Sequence, residues 1–111
     1  MLEAGSLVVL PFPFSDLRSS KRRPVLLLTL PDSYGDFLAM AVTSQSGHAE
    51  SLALIESDMR VGHLPKPSWI RTDKVVSLNQ ALVVKEIGKV SETLRLQAVR
   101  QLCARLRVTI P

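Results

Sequence analysis

As far as residue 90 the apolar residues of this chain come in short runs broken by proline and glycine; beyond Ser91 they change period. That change constrains the fold more than any other feature. The first run, SLVVL at 6–10, predicts a strand. Pro11 and Pro13 then remove backbone donors, so the strand ends there or becomes an edge. Residues 14–23 are polar and basic and predict a loop. Pro24 opens VLLLT, apolar on both faces, which predicts a central second strand. PDSYG at 31–35 is turn chemistry. DFLAMAVT at 36–43 predicts a third strand and SLALIES at 51–57 a half-buried fourth. MRVGHLPKP reads as a loop punctuated by Gly62, Pro65 and Pro67. SWIRTDKVVSL predicts two short strands or one bent one.

From Ser91 on, Leu94, Ala98, Val99, Leu102, Cys103 and Leu106 recur at helical spacing. Ser91 suits an N-cap, Glu92 places negative charge in the first turn, and Arg105 and Arg107 place positive charge near the end. The spacing predicts a helix over 91–107. Several short strands followed by one helix describe a small α+β protein whose sheet curls into a barrel-like form. With 111 residues the chain suits a single domain, 1–111.

The formal net charge of +4 favours a polyanionic partner such as nucleic acid or an acidic protein. A single cysteine, Cys103, makes no internal disulfide and fits a reducing compartment; its place in the helical pattern reads as a structural, buried thiol. No signal-peptide pattern and no apolar run long enough to span a bilayer is found, which gives the expectation of a cytoplasmic protein with no membrane partner.

Three stretches carry side chains suited to chemistry. SSKRRP sets Lys21, Arg22 and Arg23 where a loop feeds a buried strand. An arginine there is held by the strand and offers phosphate a planar bidentate fork; the run equally fits a solvated loop, as most charge runs do. AVTSQ ends an apolar strand with Thr43, Ser44 and Gln45, three hydrogen-bonding side chains in a row, or is an ordinary strand-to-turn transition. WIRTDK offers Trp69 as a stacking face, Arg71 and Lys74 as phosphate contacts and Asp73 to orient either; the alternative is a core Trp69 beside a surface Arg71–Asp73 pair. No zinc-ligand spacing surrounds His48 and His63, no glycine-rich phosphate loop or nucleophile elbow is present, and the acidic residues form no clear Mg²⁺ cluster. An enzyme here would need neither metal nor cofactor, and would work with arginine and hydroxyl groups.

In order and spacing these pieces resemble the MazF/PemK-type toxins of type II toxin–antitoxin systems. Gly5 precedes the first strand, KRRPVLLLT carries an Arg-Pro before an apolar strand, AVTSQ is an apolar strand ending in Thr-small-Gln, and SWIRTDK is a later Arg–Asp–Lys segment leading to Gly88-Lys89-Val90 and the last helix. PFPFSD and LPKPSWIRTDK look closest to the PemK-like branch. The resemblance covers almost the whole chain.

It implies an SH3-like barrel of the CcdB/MazF/PemK type with a C-terminal helix, usually a homodimer. It also implies a metal-independent, sequence-selective endoribonuclease acting on single-stranded messenger RNA, in which a ribose 2′-hydroxyl attacks the neighbouring phosphate to leave a 2′,3′-cyclic phosphate and a 5′-hydroxyl. By position Arg23 and Thr43 are the implied catalytic residues, with Lys21, Arg22, Ser44, Gln45, Trp69, Arg71 and Lys74 expected to bind RNA. An antitoxin with an acidic, partly disordered tail is the implied protein partner. Where many relatives have Gly-Asp before the first strand, this chain has Gly5-Ser6, keeping a hydroxyl and losing a carboxylate. Two other activities fit the same barrel: a CcdB-like gyrase-binding toxin, whose Trp-Gly-Ile ending this chain lacks, and a non-catalytic RNA-binding barrel.

Overall fold

The computed structural model describes residues 1–12 and 21–107. Most of the expected loop at 14–23 therefore lies outside the described residues, as does the Pro13–Asp16 part of the PFPFSD motif.

Among the described residues, seven strands form one antiparallel sheet: β1 (Ser6–Pro11), β2 (Arg22–Leu27), β3 (Asp36–Thr43), β4 (Ser51–Leu54), β5 (Met59–Gly62), β6 (Ser68–Asn79) and β7 (Lys85–Val90). Their order across the sheet is β4-β6-β3-β2-β1-β7-β5, and the sheet curls as a half-barrel. An α-helix, α1 (Glu92–Arg105), follows the sheet. No helix among the described residues is long and apolar enough to cross a membrane.

The second strand starts earlier than its proline suggests. Arg22 and Arg23 belong to β2 and pair with Pro11 and Leu10 of β1. Pro24 is tolerated because it precedes the β2–β3 ladder, whose first recorded pair is Val25↔Ala41. Beyond it Val25, Leu26 and Leu27 are all fully buried, since both faces of the curled sheet are covered. Leu26 packs with Leu7, Met40, Val42 and Ile70 and with Leu94 and Ala98 of α1. Val25 and Leu27 pack on the other side with Val8, Leu10, Phe12, Phe37 and Ala39. Each buried aliphatic side chain of this size contributes about 1.5–3 kcal/mol.

Residues 59–62, expected in a loop, form the edge strand β5 against β7. Gly62, which reads as a turn signal, lies opposite Gly88 at a point of very close approach. A Cβ on Gly88 would sit 2.1 Å from the Val61 carbonyl oxygen, and one on Gly62 would sit 2.4 Å from that of Ile87.

The segment 68–79 is a single bent strand. Along β3, Met40 pairs with Val75 but the next residue, Ala41, pairs with Arg71. Thr72, Asp73 and Lys74 therefore bulge out of the β3–β6 ladder. The bulge is anchored: the Thr72 N–H donates to the Glu50 carbonyl at 3.2 Å, and the Thr72 hydroxyl donates to Gln101 Oε1 on α1 at 3.1 Å. Thr72 is almost wholly buried.

In α1 the Ser91 hydroxyl accepts the Leu94 N–H at 3.2 Å, the expected N-cap, and Arg95 pairs with Glu92. Leu94 and Ala98 are buried and Val99 and Leu102 partly so. Leu106 caps the C-terminus and is exposed, so the apolar stripe stops short of it. Cys103 is half-buried and carries a free thiol, not the fully buried one its pattern suggests.

Candidate active site

Register brings the two residues singled out for catalysis together. The β2–β3 ladder ends at Val25↔Ala41; extended two residues past that pair its register points Arg23 towards Thr43 at the end of β3, and both line one cleft. Arg71 reaches the same place from β6, where it pairs with Ala41 and Trp69 pairs with Thr43. These strands surround a cleft of about 180 Å³ lined by Arg23, Val42, Thr43, Gln45, His48 and Arg71.

Each wall is held by a local device. Thr43 Oγ1 accepts the Gln45 N–H at 3.1 Å, which turns the chain as it leaves β3 and leaves the hydroxyl proton as a donor. Arg71 donates from Nε and Nη2 to the two carboxylate oxygens of Asp73, at 3.1 and 3.0 Å. Their side chains are 16% and 21% exposed. Arg71 and Asp73 stand two residues apart on one strand, the spacing that puts side chains on one face, and their forks meet in parallel. The Arg71 hydrogen bonds, and then its charge, hold the Asp73 carboxyl below the usual carboxylate range, against the opposing effect of burial.

Of the residues expected from the sequence, Arg23, Thr43, Gln45 and Arg71 share the cleft. Lys21 and Arg22 are exposed where β2 begins, beside Pro11 at the end of β1, and Ser44 is exposed between Thr43 and Gln45; none of the three lines it. Trp69 and Lys74 are half-buried and also stand outside its walls. Ser6 is remote in role: it is fully buried, and its hydroxyl accepts the Glu3 N–H at 3.0 Å.

Sequence reasoning considered His48 only as a metal ligand and so missed it as a wall of the cleft. Its spacing from the strand end, five residues after Thr43 with Gly47 to turn the chain, was the available signal. Gly47 adopts φ +96°, a left-handed conformation that favours glycine. No group of three or more His, Cys, Asp or Glu side chains among the described residues is placed to hold a metal ion.

Chemically, the cleft combines guanidinium groups, a hydroxyl donor, an amide and an imidazole. That set suits a phosphodiester whose non-bridging oxygens gain charge during reaction.

Residues 3–107 match the family of PemK-like, MazF-like toxins of type II toxin–antitoxin systems. No curated protein sequence matches the chain. Among solved structures, an endoribonuclease in complex with its cognate antitoxin from a mycobacterial species superposes with a TM-score of 0.75 at 15% identity, covering 100% of both chains. MazF from Deinococcus radiodurans gives 0.73 at 22% identity, covering 96% of this chain and 97% of that one. The Mycobacterium tuberculosis toxin MazF-mt6 gives 0.70 at 16% identity, covering 95% and 99%.

Proposed function

The chain belongs to the PemK-like, MazF-like toxin family of type II toxin–antitoxin systems, and on that premise we propose that it is a metal-independent endoribonuclease acting on single-stranded RNA. The observation that carries this reading is the shared cleft, where Arg23, Thr43 and Arg71 converge from three adjacent strands. In the proposed reaction a ribose 2′-oxygen attacks the adjacent phosphorus and the 5′-oxygen departs, leaving a 2′,3′-cyclic phosphate and a 5′-hydroxyl.

The pentacoordinate phosphorane carries more negative charge on its non-bridging oxygens than the ground-state diester does. Arg23 and the Thr43 hydroxyl act on that charge, so their contribution falls on the transition state. Arg71, fixed by Asp73, presents its remaining Nη1 edge to a phosphate oxygen. Gln45 positions the linkage. Lys21, Arg22, Ser44, Trp69 and Lys74 extend the RNA path beyond the cleft, the cations along phosphates and Trp69 by stacking. RNA is required because the nucleophile is the 2′-hydroxyl.

Two partners accompany this reading. The solved mycobacterial endoribonuclease is held with its cognate antitoxin. By analogy, an antitoxin with an acidic segment covers the cationic cleft here, and the working toxin is a homodimer.

The test is incubation of the purified protein with long single-stranded RNA in EDTA, followed by mapping of the cut ends. Cleavage with 2′,3′-cyclic phosphate ends is expected, and Arg23→Ala and Thr43→Val are each expected to slow it about 100-fold or more. Salt-sensitive RNA binding without cleavage, or inhibition of gyrase supercoiling in its place, overturns the reading.

A further inference from the structure

Transesterification moves two protons: the 2′-hydroxyl loses one and the departing 5′-oxygen gains one. Among the described side chains lining the cleft, an arginine stays protonated, and a threonine hydroxyl and a glutamine amide do not titrate near neutrality. Imidazole is the side-chain type that holds and releases a proton in that range. Among the described residues, His48 brings an imidazole to this cleft.

Backbone contacts hold the loop that carries His48. Its carbonyl accepts the Ser51 hydroxyl at 2.8 Å, and Gly47 makes the preceding turn in the left-handed region. The loop is tied at both ends. Thr43 Oγ1 holds the Gln45 N–H, and the Glu50 carbonyl accepts the N–H of the buried Thr72. His48 itself is half-buried.

The two protons differ in what they need. A developing 2′-oxyanion is stabilised electrostatically by the facing guanidinium groups of Arg23 and Arg71. The 5′-alkoxide is the more basic oxygen and needs a proton outright as it leaves.

Resting on the endoribonuclease reading, we infer that His48 is a catalytic residue, the general acid for the leaving group. As the 2′-O–P bond forms and the P–O5′ bond breaks, the 2′-hydroxyl proton passes to solvent. The 5′-oxygen takes its proton from the His48 imidazolium, and the neutral ring reloads from solvent.

The experiment uses a cut site mapped on long RNA, then two oligonucleotides spanning it, one natural and one with sulfur in place of the bridging 5′-oxygen. A thiolate departs without a proton. On the natural linkage, His48→Ala and His48→Gln are expected to slow cleavage about 10²–10⁴-fold. On the sulfur linkage, both are expected to cut at close to the wild-type rate. His63→Gln, which removes the imidazole paired with Glu56 outside the cleft, leaves both rates unchanged.

Equal loss on both linkages overturns the inference, because misplacement, misfolding or a base role would slow both alike. Unchanged cleavage of the natural linkage overturns it too. A wild-type protein that cuts neither oligonucleotide nor long RNA overturns the endoribonuclease reading itself, and this inference with it.

Discussion

Two arginine–carboxylate pairs in this molecule share their chemistry and differ in their surroundings. Arg71 and Asp73 meet through two parallel hydrogen bonds with side chains 16% and 21% exposed. Arg60 and Glu3 meet at 2.7 Å through one, with side chains 53% and 42% exposed. The second contact is the shorter, yet water competes for both of its partners and salt screens them. The first has its geometry fixed by two parallel hydrogen bonds and little solvent to relax into. Distance alone does not rank the two. The difference is that one pair holds a guanidinium at the wall of the cleft, and the other ties the N-terminal segment to β5 at a well-hydrated surface.

Removing Asp73 breaks the comparison most severely. Asp73→Ala leaves the Arg71 guanidinium largely buried without its carboxylate. Cleavage by this variant is expected to fall about 100-fold, the scale for a misplaced catalytic group, as read from single-turnover rates. Denaturant unfolding of the same protein is expected to show a loss of about 2 kcal/mol, below the 3–5 kcal/mol of a fully buried broken pair. Wild-type cleavage by Asp73→Ala would show that Arg71 needs no orienting partner.

Arg71→Lys sharpens the same point. It keeps the charge and loses the fork, and is expected to cost about 1 kcal/mol in unfolding, since a point charge cannot reproduce the bidentate contact.

Acid separates the pairs by a different route. The folded Asp73 carboxyl titrates below its unfolded value, so its contribution is present above the unfolded carboxyl range, near pH 4, and is lost as pH falls through the folded pKa. The stability gap between wild type and Asp73→Asn should therefore close as pH is lowered below about 4. A gap that stays constant to lower pH would contradict the assignment.

Smallest of all, Glu3→Gln is expected to change stability by no more than about 0.5 kcal/mol, and less still in 1 M salt. A cost equal to that of Asp73→Ala would remove the distinction drawn above.

Arg23 and Thr43 were pointed to by the resemblance carried in KRRP and AVTSQ; that they line one cleft comes from the β2–β3 register, which the adjacency of two strands does not fix by itself. The helix was equally plain, from Ser91 as cap to the stripe of Leu94 and Ala98. What escaped depends on contacts between segments distant in sequence. Proline suggested a strand beginning at residue 24, but pairing with Leu10 and Pro11 carries β2 back to Arg22. Glycine and proline made 59–67 look like a loop, but β7 supplies a partner, and Gly62, at φ +77°, also gives clearance to the facing strand. The Thr72–Lys74 bulge has no local signature, since only the β3 partner defines which residues are extra. His48 escaped because a lone imidazole gains meaning only from its neighbours across the cleft.

The crossing of Gly62 and Gly88 carries a consequence for the sheet's outer margin. β5 is short and mostly exposed, the sort of strand that side-chain complementarity pins weakly. Sliding it by one position would bring Val61 or His63 to the crossing, where any Cβ meets a backbone atom well inside van der Waals contact. Steric exclusion at a single point thus keeps this margin in frame.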